Sequence, residues 1–207
     1  MKHALTHLVA GAAGTVAALS LCVSAFAQTA PAAKPSVQLD GLEYRVIDRV
    51  WANTDHYFHE GDYNRIVALC RVCVESDPEF DEAYSCAAWI LWSMGDKPAA
   101  NTLMAYGTKR AKTKWKAEYT FAEQLMVRRE YKDALPHLQN ATKSPAAPVI
   151  AWKQLGHAYE KTGDLKNSLV TWQYILKRFP DEPSAPNNLK RVQGKLSGNP
   201  PAAKTGR

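Results

Sequence analysis

The sequence predicts an all-α fold, a solenoid of helix–turn–helix units closed by a short C-terminal helix. Three observations carry that expectation. Small and large residues recur in one order every 34 positions, in units that start at Ile47, Asp81, Trp115 and Val149. A Gly-Asp pair recurs near the middle of the unit, as Gly61-Asp62, Gly95-Asp96 and Gly163-Asp164. No stretch alternates apolar and polar residues with the period of two that a half-buried strand requires.

The units tile 47–80, 81–114, 115–148 and 149–182 without a gap. Position 8 of each is small: Thr54, Ala88, Ala122 and Gly156. Position 20 is small in three, as Ala100, Ala134 and Ser168, with Ile66 in the first. Small residues there allow two helices to approach closely. Larger residues fill the space beside them, at position 11 (Tyr57, Leu91, Leu125, Tyr159) and mostly at position 24 (Cys70, Met104, Leu138, Trp172). Glycine after the first helix suits a left-handed C-terminal cap, and the Asp behind it suits the N-cap of the second helix. The first unit is imperfect, with Val50 at position 4. The third departs most: Glu118 stands at position 4, Arg129-Glu130 replaces Gly-Asp, and Pro136 falls inside the second helix. A kink or the weakest packing is expected there.

The ends of the chain read differently. Residues 1–27 have a short basic start at Lys2, an uncharged apolar run and Ala25-Phe26-Ala27, the pattern of a cleaved secretory signal. The expected location is therefore periplasmic or secreted. Leu21 is not the small residue that a lipoprotein signal places before its cysteine, here Cys22. Residues 28–41 are a Pro/Ala-rich linker, and 42–196 the folded domain. Within it a polar capping helix is expected at 187–196, with Leu189, Val192 and Leu196 on one face. Residues 197–207 are expected to be a disordered tail.

Trp152, Leu155, Gly156 and Tyr159 follow the spacing W-x2-L-G-x2-Y, and with the 34-residue period the chain resembles the tetratricopeptide-repeat family over 47–182. The resemblance implies a right-handed α-solenoid whose first helices line a concave groove, chiefly through positions 2, 5, 9, 12 and 13. On this chain those positions include Trp51, Asp55, Phe58, Trp89, Trp92, Tyr119, Glu123, Lys153 and His157. Aromatic side chains beside charge are typical anchors for a partner. The implied function is a non-enzymatic scaffold or assembly factor that binds a protein or peptide. The family's carboxylate clamp needs Asn at position 9, where this chain has Asp55, Trp89, Glu123 and His157, so that specificity is not implied.

Charge and chemistry bound the alternatives. The net charge is +6, and five of the cations lie together as Lys109, Arg110, Lys112, Lys114 and Lys116. That cluster is a solvated face, or else it contacts an anionic membrane or cell-wall surface, and self-association is a further alternative. No nucleic-acid-binding module is present. Cys70 and Cys73 form a C-x-x-C in mid-helix, away from the helix N-terminus that activates a redox thiol. In an oxidising compartment Cys73 is expected to bridge to Cys86, or failing that Cys70 to Cys86. His56 and His59 share a helix face but lack a third ligand at metal-site spacing. No nucleophile elbow, phosphate loop or zincin motif occurs. Neither an enzyme activity nor a cofactor is expected, and the sequence leaves the oligomeric state open.

Overall fold

A computed structural model of the chain describes residues 41–198. The expected leader, nearly all of the expected linker and most of the expected tail lie outside these residues. Those described form nine α-helices: α1 (Leu42–Glu60), α2 (Tyr63–Ser76), α3 (Asp81–Ser93), α4 (Lys97–Arg110), α5 (Lys114–Val127), α6 (Tyr131–Thr142), α7 (Val149–Lys161), α8 (Leu165–Arg178) and α9 (Ala185–Leu196). The first eight pair as antiparallel hairpins, α1 with α2 through α7 with α8, and α9 packs on α8.

One turn geometry serves all four hairpins. The amide at position 16 donates to the carbonyl at position 11: Asp62 to Tyr57 (3.0 Å), Asp96 to Leu91 (2.9 Å), Glu130 to Leu125 (2.8 Å) and Asp164 to Tyr159 (2.8 Å). This is the six-to-one bond of a Schellman turn, and it needs a left-handed residue at position 15. Gly61, Gly95 and Gly163 supply it at φ 73°, 91° and 87°. In the third hairpin Arg129 takes the same conformation at φ 62°, although it carries a Cβ. The tertiary fold thus imposes the turn where the local sequence argues against it. The Asp N-caps accept from the third helical amide in α2, α4 and α8, at Arg65, Ala99 and Asn167. Glu130 makes no such bond before α6.

Packing follows the small-and-large pattern. Position 24 is fully buried in every hairpin, through Cys70, Met104, Leu138 and Trp172. Each large apolar side chain removed from water in this way contributes about 2–3 kcal/mol. Position 8 meets position 20 directly in the fourth hairpin, where Ser168 Oγ donates to the Gly156 carbonyl at 2.8 Å. The Trp172 ring lies so close to Gly156 that an added Cβ would stand 2.9 Å from it. A continuous core runs from α1 to α7, and a second cluster holds Trp172, Ile175, Ala185 and Val192 between α8 and α9.

Two expectations need correction. Helix α6 continues through Pro136. Its packing is not weak either: Ala134, Leu138 and Ala141 are fully buried, as are Ala122 and Leu125 of the facing α5. The capping helix begins at Ala185 rather than 187; of Leu189, Val192 and Leu196 on its one face, Val192 is buried, Leu189 half-buried and the terminal Leu196 exposed.

Candidate functional site: the face of the first helices

Helices α3, α5 and α7 neighbour one another along the stack, with α3 packed on α5 and α5 on α7. Together with α1 they carry the residues that the sequence assigned to a groove. The exposed aromatic rings of this face stand at its N-terminal end, and the exposed aliphatic Val127 and Ile150 lie further along it. Phe58 is 48% exposed, Trp89 43% and Trp92 36%. Trp51 is half-buried against Phe80, with ring centroids 5.1 Å apart. Tyr119 and Glu123 are half-buried and bonded to each other, Tyr119 Oη donating to Glu123 at 2.9 Å. Gln154 of the next hairpin donates to the same hydroxyl at 3.3 Å. Burial, and then the Glu123 carboxylate, push the Tyr119 phenol up, so it stays a neutral donor.

At the far end the face is committed to structure. Lys153 is paired with Glu182 at 2.9 Å. His157 sits edge-on to Trp172, and burial holds its imidazole below the usual range, helped by the nearby Arg191 charge. Glu160, one turn on, is almost fully buried and takes Arg191 and Lys195 from α9. Burial alone would raise its pKa, but those two cations hold the carboxyl down at about 2. Lys153 and His157 therefore lie beside the seam with α9 and the turn before it, with His157 still partly open to solvent.

Trp92 has a second role that the repeat spacing does not reveal. The buried Arg128 stacks over its ring at 5.6 Å and reaches back one hairpin, donating to the Ala88 carbonyl (3.0 Å) and to Asn101 Oδ1 (3.0 Å). The only sequence signal is that Arg128 directly follows the helix-lining positions of the third unit.

A cleft of about 340 Å³ opens at the N-terminal end of the face, lined by Trp51, Asp55, Phe58, Ile66 and Cys86 among others. Cys86 is half-buried in its lining, whereas Cys70 and Cys73 are fully buried on α2. All three are free thiols.

The basic cluster is largely spent inside the fold. Arg110 pairs with Glu75 at 2.7 Å and donates to the Val74 and Glu75 carbonyls. Lys114 Nζ caps the end of α4 through the Thr108 and Lys109 carbonyls, and Lys116 pairs with Asp81 at 2.5 Å. Lys109 and Lys112 keep no ion pair among the described residues. His56 and His59 lie beside Glu60 and Asp55 at 3.3 and 3.6 Å. Among the described residues no three His, Cys, Asp or Glu side chains converge as a metal site would need, and no helix is long and apolar enough to cross a membrane.

No family model matches the sequence, and no curated protein does. Solved structures do. The chain is similar to MamA (41-end) from Desulfovibrio magneticus RS-1, at 18% identity over 77% of this chain and 88% of that one, with a TM-score of 0.54. It is similar to YrrB, described as a TPR protein with an unusual peptide-binding site, at 18% identity over 76% and 84%, TM-score 0.52. It is also similar to the Pseudomonas aeruginosa pilF product, at 14% identity over 75% and 71%, TM-score 0.55. With the shared turn, the small-on-small helix contacts and these likenesses in hand, the described residues have the tetratricopeptide-repeat fold, a right-handed α-solenoid of helix–turn–helix units.

Proposed function

We propose that this chain is a binding scaffold with no chemistry of its own, and that the N-terminal half of the first-helix face takes a protein or peptide segment. One observation carries the reading: Phe58, Trp89 and Trp92 stay exposed although the packing positions of their hairpins are already filled by other residues. Large exposed aromatics on one face are the usual anchors of a partner site. Charge supports a segment with cationic flanks. Asp48, Asp55 and Glu82 are exposed around the aromatics, while Lys116, a cation beside them, is paired with Asp81. The peptide-binding site described for YrrB supports the reading as a property of a protein with the same fold.

The test is a pull-down from an envelope fraction, followed by titration of the captured protein with purified variants. Trp89→Ala should weaken binding by about 2 kcal/mol, roughly 30-fold, with a fold as stable as before. Rising salt should weaken binding further. Unchanged affinity for Trp89→Ala would remove the face from consideration. Trp92→Ala is the poorer probe, because it also strips Arg128 of its ring.

The envelope location is part of the proposal. Lys2, the uncharged run after it and Ala25-Phe26-Ala27 support export, and the mature protein should begin at Gln28 on N-terminal sequencing. Recovery of the protein with Met1 intact would end that part of the reading.

A further inference from the structure

We infer that the cleft where the third hairpin meets the fourth, lined by Tyr174 and Arg178 of α8 and by Lys143 at the end of α6, binds a small carboxylate carried on an aromatic ring. The cleft shares no residue with the face of the first helices, so the inference does not depend on partner binding there.

The chain already builds one carboxylate site from the same parts. Where the first hairpin meets the second, Tyr106 Oη donates to the Glu75 carboxylate, 2.8 and 3.1 Å from its two oxygens. Arg110 Nη1 donates to Glu75 Oε2 at 2.7 Å, and its guanidinium lies over the Tyr106 ring at 5.0 Å. Tyr106 and Arg110 stand at positions 26 and 30 of the second unit, and Glu75 stands at position 29 of the first. The fourth unit repeats the pair, with Tyr174 at position 26 and Arg178 at position 30. Position 29 of the third unit, however, is Lys143. A cation thus occupies the place that supplies the carboxylate at the earlier junction. Among the described residues Tyr174 and Arg178 form no side-chain hydrogen bond or ion pair, and Arg178 leans on the Phe179 ring at 5.2 Å. Lys143 Nζ has only a neutral partner, the Asn140 side chain at 2.8 Å. The donors of a carboxylate site are therefore present without a carboxylate.

The cleft beside them has a volume of about 260 Å³, and no Asp or Glu is among its lining residues. An arginine edge grips a carboxylate through charge-assisted N–H bonds, and a lysine and a tyrosine hydroxyl add further donors. The walls are aromatic. Trp152 and Tyr174 stack with ring centroids 4.2 Å apart, and Phe179 adds a third ring. Such walls take another ring offset or edge-on. Pockets for drug-sized ligands span roughly 300–1,000 Å³, so this smaller cleft suits a body of one ring and not an extended peptide. A carboxylate on one aromatic ring satisfies the donors and the walls together.

The experiment titrates the full chain with benzoate at constant ionic strength and follows the Trp152 indole N–H by NMR. Acetate supplies the charge without the ring, and benzyl alcohol the ring without the charge. Benzoate should shift the Trp152 signal saturably, with a dissociation constant of about 1 mM, the range open to a ligand of this size. Acetate and benzyl alcohol should each bind about tenfold more weakly, or less. Arg178→Gln should weaken benzoate by about tenfold or more. Lys143→Glu should return a carboxylate to Tyr174 and Arg178 as at the earlier junction, abolish benzoate binding and raise the urea midpoint. No saturable shift with benzoate, equal affinity for benzyl alcohol, or benzoate binding unchanged in Lys143→Glu would each overturn the inference. The three ligands are compared on the unaltered chain, so the result is decisive even if a variant fails to fold.

Discussion

Arg129 is the one residue of the described chain that holds a positive φ without being glycine. Its side chain is exposed and forms no hydrogen bond or ion pair among the described residues, so nothing compensates the crowding of its Cβ. Arg129→Gly should therefore stabilise the fold by about 1 kcal/mol, seen as a higher urea midpoint at unchanged m-value. Gly156 is the opposite case. A methyl there would meet the fully buried Trp172 ring at 2.9 Å, and a ring sealed on all sides cannot retreat without moving its neighbours. Gly156→Ala should cost about 2 kcal/mol, the ordinary penalty of overpacking, and lower the thermal midpoint. The small residue at this position was plain from the repeat spacing. The conformation of Arg129 was not, because local sequence shows only that glycine is missing. It cannot show that three neighbouring hairpins of the same shape will force the turn regardless.

At the scale of elements, the helix α9 docks through charge as much as through apolar contact. Glu160 of α7 receives Arg191 and Lys195, and its carboxyl is held at about 2, below its ordinary 4.5. A folded-state pKa depressed in this way gives stability that is present above the ordinary carboxylate range and is lost as pH falls from about 4.5 towards 2. Acid should thus loosen α9 before the rest of the stack, visible as early loss of amide protection over 185–196. Glu160→Gln should have a related effect at neutral pH. It should cost about 2 kcal/mol, less than a fully buried pair because both cations reach solvent. The pairing was illegible in the sequence, which placed a polar helix near 187–196 but carried no sign of what its cations would face. Repeat positions order the residues along one helix, whereas contacts between helices depend on a rotation that the spacing does not fix.

For the whole molecule, the period of 34 made the architecture readable, since small residues, large residues and turns agreed at one spacing along much of the chain. The aromatic face was readable too, as positions, while the pairing of its far end with α9 and the turn before it was not. That last helix also decides how long the object can become. A solenoid is a one-dimensional crystal whose every layer templates the next. Helix α9 acts as a chain terminator: its inner face covers Trp172 and Ile175, and its outer face shows Asn187 and Lys190 to water. A chain cut after Pro183 would leave a sticky end of Trp172, Ile175 and Leu176 matched to no other part of the same molecule. Such a head-to-tail contact does not close on itself. The truncated protein should grow into concentration-dependent multimers in light scattering, where the intact chain keeps a concentration-independent mass.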